Sequence, residues 1–526
     1  MNIKIIKFFT SFLLLINFLF TQSENQKSIQ GAFGTVTIDG EIWNQIALRP
    51  ILPFGKVTVA LDLVFYIDQN GNIHRDEWDF SSPEKSKNAI LDKIYYIKYG
   101  NRLDPFYLKI GALDWIRMGQ GILVDGYSNS ILYPQVRKVG LETGIDFSKF
   151  KLYAFTNDFK ENFGLTGIRA SRNILSKINI GASFVTDRDQ YLGLVDSDGD
   201  GRPDVVDDFP DNSKYWTDTD NDGIPDNSDA ELDVDGDGIT DVLDSESVPG
   251  WDGEVVLLDK NIVLKPEPLN TSNKSLAIHG YAIDAVLPLM KNDGMSVSFY
   301  AQFAGLIGES EDPITKKDTT LGTGFIPFGL SAKFGPAIFN FEYRVIPQGR
   351  FEFGYWDRSY ELERATFSVD NSFGLRNSGT IIAKSNKLGK YGKQKGYFSS
   401  LRFKLGSFIG ASASYQNLLG DQWSQLDNKF ITEKNQSFTA TLGLKKTISK
   451  IQSAKWYYQQ RNVPNPFDFE YSENTILGYQ VGVSLGNGMI LSYNFKKSFQ
   501  DVNGDGKISG ENEIINMTNV ETSFTF

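Results

Sequence analysis

The chain has 526 residues, with Lys+Arg 53 against Asp+Glu 65, a formal net charge of -12, two His and no Cys. The lack of Cys excludes disulfide scaffolds, thiolate metal sites, cysteine nucleophiles and a lipid anchor on an N-terminal Cys. Two histidines leave little room for histidine chemistry, and the acidity argues against nucleic acid as a partner.

Phe 39, Tyr 23 and Gly 49, beside a hydrophobic fraction of 40%, suit many half-apolar strands better than a helix-rich core. At the N-terminus Lys4 and Lys7 precede an almost continuous apolar run from Phe8 to Phe20, and polar residues follow at once. That run is short for a membrane helix and predicts a secretory signal over residues 1–22, so the protein is expected to be exported.

From residue 23 to residue 187 the dominant period is two. Val57, Val59, Leu61, Leu63 and Phe65 fall on one face, with Thr58, Ala60, Asp62 and Tyr66 on the other. The pattern returns over 275–526, at Met295–Phe303 and again at Leu477–Leu485. Runs of this length match tilted strands crossing a bilayer, and the small or polar second face predicts a wet interior. Short links such as Pro50–Gly55, Lys291–Asp293 and Gly486–Gly488 alternate with long ones, among them Leu418–Lys434 and Asp370–Gln394. Short turns toward the periplasm and long loops outside are the habit of outer-membrane barrels. In hydrocarbon no backbone donor stays unpaired, so the sheet must close. The expected fold is therefore all-β, a large antiparallel transmembrane barrel. Counting links gives about 22 strands, and weak patterning near Phe351–Val369 widens this to 16–22.

Between Asp196 and Glu246, 17 Asp and two Glu face only Arg202 and Lys214, a net of -17 that leaves the remainder of the chain at +5. Residues 188–250 thus form an acidic insert at a long-loop position, and 251–274 connect it back to the barrel. One form recurs three times, D-x-D-x-D-G-x-x-D-x-x-D. Its carboxylates are Asp196, Asp198, Asp200, Asp204 and Asp207; then Asp218, Asp220, Asp222, Asp226 and Asp229; then Asp233, Asp235, Asp237, Asp241 and Asp244. Alternating Asp in a tight loop converge oxygens on a hard cation, and Gly permits the turn, so the expected ion is calcium. The pattern resembles the thrombospondin type 3 calcium repeat, and its front half resembles an EF-hand loop without the closing Glu. The resemblance implies an extracellular, irregular, calcium-wrapped segment, disordered without the ion. Asp501, Asn503 and Asp505 form a fourth candidate loop, and Asp68–Asn72 a weaker fifth.

The chain ends with Val520, Thr522, Phe524 and Phe526 on one face, which resembles the terminal signal read by the barrel-insertion machinery. The segments Asp39–Lys56, Ala112–Asp114, Met118–Gly121 and Tyr133–Gly140 are similar to poorly characterised porin-like outer-membrane barrels of Bacteroidota-like bacteria. That resemblance implies location in outer-membrane lipid, with long loops and the insert outside the cell.

No G-x-S-x-G, H-E-x-x-H, Walker A or dinucleotide fingerprint occurs, and His74 and His279 are isolated, so no enzyme is expected. The expected function is a porin-like channel for passive passage of small solutes. Glu142, Asp146, Arg344 and Glu352 are its candidate lumen charges, and Asp114–Pro134 is either a constriction or a lid. The alternative is an adhesion protein or envelope-complex subunit displaying the insert toward a surface ligand.

Overall fold

The computed structural model describes residues 28–38, 41–74, 78–133, 136–174, 177–219, 223–225, 265–369, 379–425, 427–502, 507–510 and 513–525. The signal segment 1–22, the third acidic copy, the connecting stretch Trp251–Leu264 and the terminal Phe526 lie outside them.

Twenty antiparallel strands close into one barrel. In chain order they are Ser28–Ile38, Glu41–Phe54, a strand broken at Asp62 into Val57–Leu61 and Leu63–Ile67, Ile94–Tyr99, Phe106–Gly111, Gly140–Asp146, Lys151–Thr156, Leu165–Ile174, Ile178–Asp187 and Ile278–Lys291. The circuit continues through Met295–Ile307, Thr323–Phe334, Ala337–Ile346, Tyr391–Leu405, Ile409–Ser424, Lys429–Leu444, Ile451–Val463, Thr475–Gly486, Met489–Phe499 and Ile514–Thr525. Each pairs with the next, and the last returns to the first with Phe524 opposite Gly31 and Val520 opposite Thr35. Closure leaves no sheet edge, as a hydrocarbon solvent demands. Among the described residues no helix is long and apolar enough to cross a membrane.

The period-two pattern is realised strand by strand. On Ile178–Asp187, Ile180 and Phe184 are exposed while Ser183, Val185 and Asp187 are buried inside. On Met295–Ile307 the inward residues are Tyr300, Gln302 and Ala304. Ile46, Ile168, Ile283, Phe328, Leu401, Leu442, Trp456 and Tyr479 carry the exposed apolar surface around the circuit. So extensive an apolar exterior fits lipid rather than water.

All the connections at one end are short. They include the two-residue turns at 55–56, 335–336 and 487–488. The last of these places both Asn487 (φ 53°) and Gly488 (φ 77°) in the left-handed region, as a tight hairpin requires. The opposite end carries the long segments 68–93, 112–139, 188–277 and 347–390.

The twenty strands fall within the expected range of 16–22, and Phe351–Val369, where the patterning is weak, contributes none of them. Two expectations are corrected. Leu418–Lys434 is not a long loop: strands Ile409–Ser424 and Lys429–Leu444 pair residue for residue down to Ser424 opposite Lys429, projecting as a hairpin. And the interior is not uniformly wet. Residues 113–127 and 351–360 fold into the barrel and pack an apolar cluster there.

Candidate functional site

The lumen is shaped by those two inward segments. Ile116, Met118, Ile122, Leu123, Val124 and Tyr127 come from the first, and Phe351, Phe353, Tyr355, Trp356 and Tyr360 from the second. They meet inward-facing wall residues such as Phe155, Val185, Ile278, Tyr300 and Leu418. Left outside, these side chains would form a large apolar patch in water, so burial drives the segments inward. They also bond to each other: Gly354 N–H donates to the Ile122 carbonyl at 2.9 Å and Trp356 N–H to the Leu123 carbonyl at 3.0 Å. Wall glycines make room for them. A Cβ at Gly280 would lie 2.7 Å from the Trp356 ring. Of the Asp114–Pro134 segment, the described residues 116–127 therefore pack inside the barrel rather than standing over it.

Buried charges anchor the plug. Arg364 pairs with Asp187 at 2.7 Å and with Glu161 at 2.8 Å, and Lys138 bridges Glu161 and Glu361. Lys384 reaches Glu363 at 2.8 Å, while Arg461 on the wall holds Glu352 at 2.7 Å and Asp357 at 2.5 Å. Burial alone would raise Glu161, but Lys138 and Arg364 outweigh it and hold this carboxyl at about 2. Glu363 is likewise held at about 2, where Lys384 and Arg461 overcome burial. Breaking a buried pair of this kind strands a charge, so the network fixes the plug in one position.

Of the four lumen charges expected, Glu142 is buried inside against Arg102 at 2.7 Å. Arg344 is inside as well, paired with Glu342 at 2.6 Å. Glu352 belongs to the plug. Asp146 does not line the lumen but sits exposed at the turn-side rim, 2.6 Å from Lys151. His74 stacks edge-on against Trp43, and His279 lies 2.8 Å from the Thr186 hydroxyl.

Sequence reasoning missed Arg49. It ties Asp62 at 2.8 Å to Glu521 at 2.6 Å inside the barrel seam. It also missed the wall cations discussed below.

On the loop side, Asp196, Asp198 and Asp200 place carboxylate oxygens within 4.8 Å of one another. The loop turns through Gly199 (φ 81°) and Gly201 (φ 94°), whose N–H groups both donate to Asp196 at 2.9 Å. Asp204 takes the Ser197 N–H at 2.8 Å and hydroxyl at 2.7 Å, so it faces back across the loop. Asp207 is 7% exposed, and its Oδ2, like Asp198 Oδ2, is buried without a hydrogen-bond partner. Burial pushes Asp207 up to about 6, with Asp200, Asp198 and Asp208 adding to the rise. Three clustered carboxylates, one of them with an orphaned buried oxygen, fit a hard cation.

The second copy is described at Asp218, which accepts the Gly223 N–H at 2.9 Å. Its Asp220, Asp222, Asp226 and Asp229, the third copy's Asp233, Asp235, Asp237, Asp241 and Asp244, and Asn503 and Asp505 lie outside the described residues. Asp501 is described, in the link between the last two strands.

The first copy is not a free-standing rod. Leu194 and Val206 pack with Tyr191, Leu269 and Leu276 onto Ile381, Ala383 and Ala365, the base of a hairpin of the plug segment.

No protein-family model matches the chain, and no curated protein matches it. Among solved structures, Acinetobacter baumannii OccAB4 aligns over 95% of this chain and 97% of its own at 9% identity, with a TM-score of 0.35. Pseudomonas aeruginosa OccK10 (OpdN) aligns over 96% and 99% at 7% identity, with a TM-score of 0.34. The outer membrane protein OprD from Pseudomonas aeruginosa aligns over 95% and 94% at 10% identity, with a TM-score of 0.31. At these values the likeness adds nothing to what the chain's own strand pairing establishes: a closed, twenty-stranded antiparallel barrel with a lipid-suited exterior and a lumen narrowed by two inward loops.

Proposed function

We propose that the protein is an outer-membrane, porin-like channel for passive passage of small solutes, with its long loops and acidic insert outside the cell. The observation that carries this is the pairing of an apolar exterior with a polar turn-side lumen in a barrel of twenty strands. Barrels of this size enclose an aqueous path unless it is filled. Barrel insertion by the cell's assembly machinery and contact with outer-membrane lipid follow from the same reading, and no catalytic step or redox cofactor enters it.

Calcium is the cofactor of this reading. Asp196, Asp198, Asp200, Asp204 and Asp207 would hold one ion in the first copy, and the second and third copies and Asp501 would supply further sites. The orphaned oxygens of Asp198 and Asp207 support the first of these. Millimolar calcium outside a cell suffices for sites of modest affinity.

One observation favours the alternative of a surface-displayed adhesion or envelope-complex subunit: the dry cluster fills part of the lumen. Swelling of liposomes carrying the refolded full chain, in sugars of increasing size, separates the two. A channel admits the small sugars and excludes larger ones. Liposomes that hold folded barrel yet swell no faster than protein-free vesicles contradict the channel.

A further inference from the structure

Below the plug, on the side of the short turns, lies a chamber of about 160 Å³. Its wall is rich in hydroxyls, Ser400, Ser412 and Thr441 among them. Five guanidinium groups line it (Arg117, Arg344, Arg358, Arg402 and Arg461) against two carboxylates, Asp125 and Asp357.

Three of the five are neutralised. Arg117 pairs with Asp125 at 3.2 Å, Arg344 with Glu342, and Arg461 with Asp357 and Glu352. Arg358 and Arg402 have no carboxylate in ion-pair contact among the described residues. Arg358 is half-buried, lies over the Tyr457 ring at 4.7 Å, and keeps a buried Nε without a hydrogen-bond partner.

Strand register adds two more cations to the same wall. Lys455 shares the face of Tyr457, two residues on. Lys496 stands opposite Gly478, which stands opposite Tyr457. Neither has an acidic partner in contact among the described residues. The chain's net charge of -12 conceals this, because its acidity is concentrated in the insert on the loop side.

Uncompensated positive charge in a narrow, low-dielectric passage raises the local concentration of anions and repels cations. Guanidinium forks fit the paired oxygens of carboxylate, sulfate or phosphate better than they fit a spherical ion. We propose, resting on the channel reading, that this chamber is an anion-selective site. In it Arg358 from the plug and Arg402 from the wall engage a small solute bearing an oxyanion, with Lys455 and Lys496 extending the field.

The test is the reversal potential of the full chain in a planar bilayer under a potassium chloride gradient, wild type beside Arg402→Gln and Arg358→Gln. Arg402 is exposed to the lumen, so its replacement leaves the fold intact even if the Arg358 variant loosens the plug. The expected result is preference for chloride, reduced on the order of tenfold in the variants. Sulfate, phosphate and acetate, added separately, should lower the chloride current of the wild type and identify which oxyanion fits. A conducting wild type that prefers potassium overturns the anion site and leaves the channel standing. Calorimetric titration of detergent-solubilised protein with sulfate needs no current. A silent barrel that binds sulfate through Arg358 and Arg402 keeps the site and rejects the channel, and one that binds none overturns both.

Discussion

The charged residues of the lumen act in chains rather than as isolated pairs, and the consequences can be tested one side chain at a time. Glu161 sits between the buried Lys138 and Arg364. Glu161→Gln leaves Lys138 with Glu361 and Arg364 with Asp187 as their remaining carboxylates, and should destabilise the plug by about 1–3 kcal/mol. Hydrogen exchange should show this as faster exchange in 347–369 and 379–390 than in the barrel strands. Unchanged exchange there would contradict the anchoring role.

The pH dependence follows from the same groups. Glu161 and Glu363 start from an ordinary value of 4.5 and are held at about 2 in the fold. Stability from a depressed acid is fully present above the unfolded value and is lost as pH falls through the folded one. The contribution of these two carboxylates to plug protection should therefore be flat from about pH 8 to about pH 5 and decline only between 4.5 and about 2. A midpoint near neutrality would show that other groups hold the plug. At the acidic loop, Asp198→Asn and Asp207→Asn should each weaken calcium binding by roughly tenfold or more, the scale of changes around a bound ion, as read by isothermal titration.

At the level of elements, the sequence shows most where one physical rule dominates. A strand between lipid and lumen must alternate, so Val57–Phe65 and Leu477–Leu485 declare themselves, and tight turns such as Gly486–Gly488 mark their ends. The rule fails where a loop is as apolar as a strand. Phe351, Phe353 and Tyr355 are spaced like strand residues because they too fill a core, and nothing local says that this core lies inside the barrel. Contacts such as Arg49 with Glu521, 472 positions apart, are set by closure and leave no local trace. The cluster of Asp196, Asp198 and Asp200 was legible because carboxylate spacing is itself local, but the packing of the first copy on the plug hairpin through Leu194 and Val206 was not.

That packing links two elements. If the first copy is ordered by calcium, chelation should loosen the hairpin formed by Ala365–Val369 and Gly379–Ala383, and with it Glu363, Arg364 and Lys384 at its base. Exchange at 379–390 should rise in chelator while the strand Ile178–Asp187 stays protected. Deleting residues 115–126, which removes the Ile122 and Leu123 carbonyls that hold Gly354 and Trp356, should raise conductance severalfold without preventing barrel assembly, since no wall strand is lost.

For the whole molecule, the closed barrel holds the plug, and the first acidic copy packs on the plug. The short turns lie at one end, next to a chamber with unneutralised cations. The dry cluster stands above it, and the acidic loop packs on the plug from the other end. The lumen is narrowed by its loops rather than by its strand number, and the plug segment that narrows it packs against a candidate ion site. The most direct test is single-channel recording of the refolded full chain in a planar bilayer, first with calcium and then with excess chelator. The account predicts small stepwise openings in calcium and larger or more frequent ones after chelation. A barrel that is folded and inserted but silent under both conditions would contradict it.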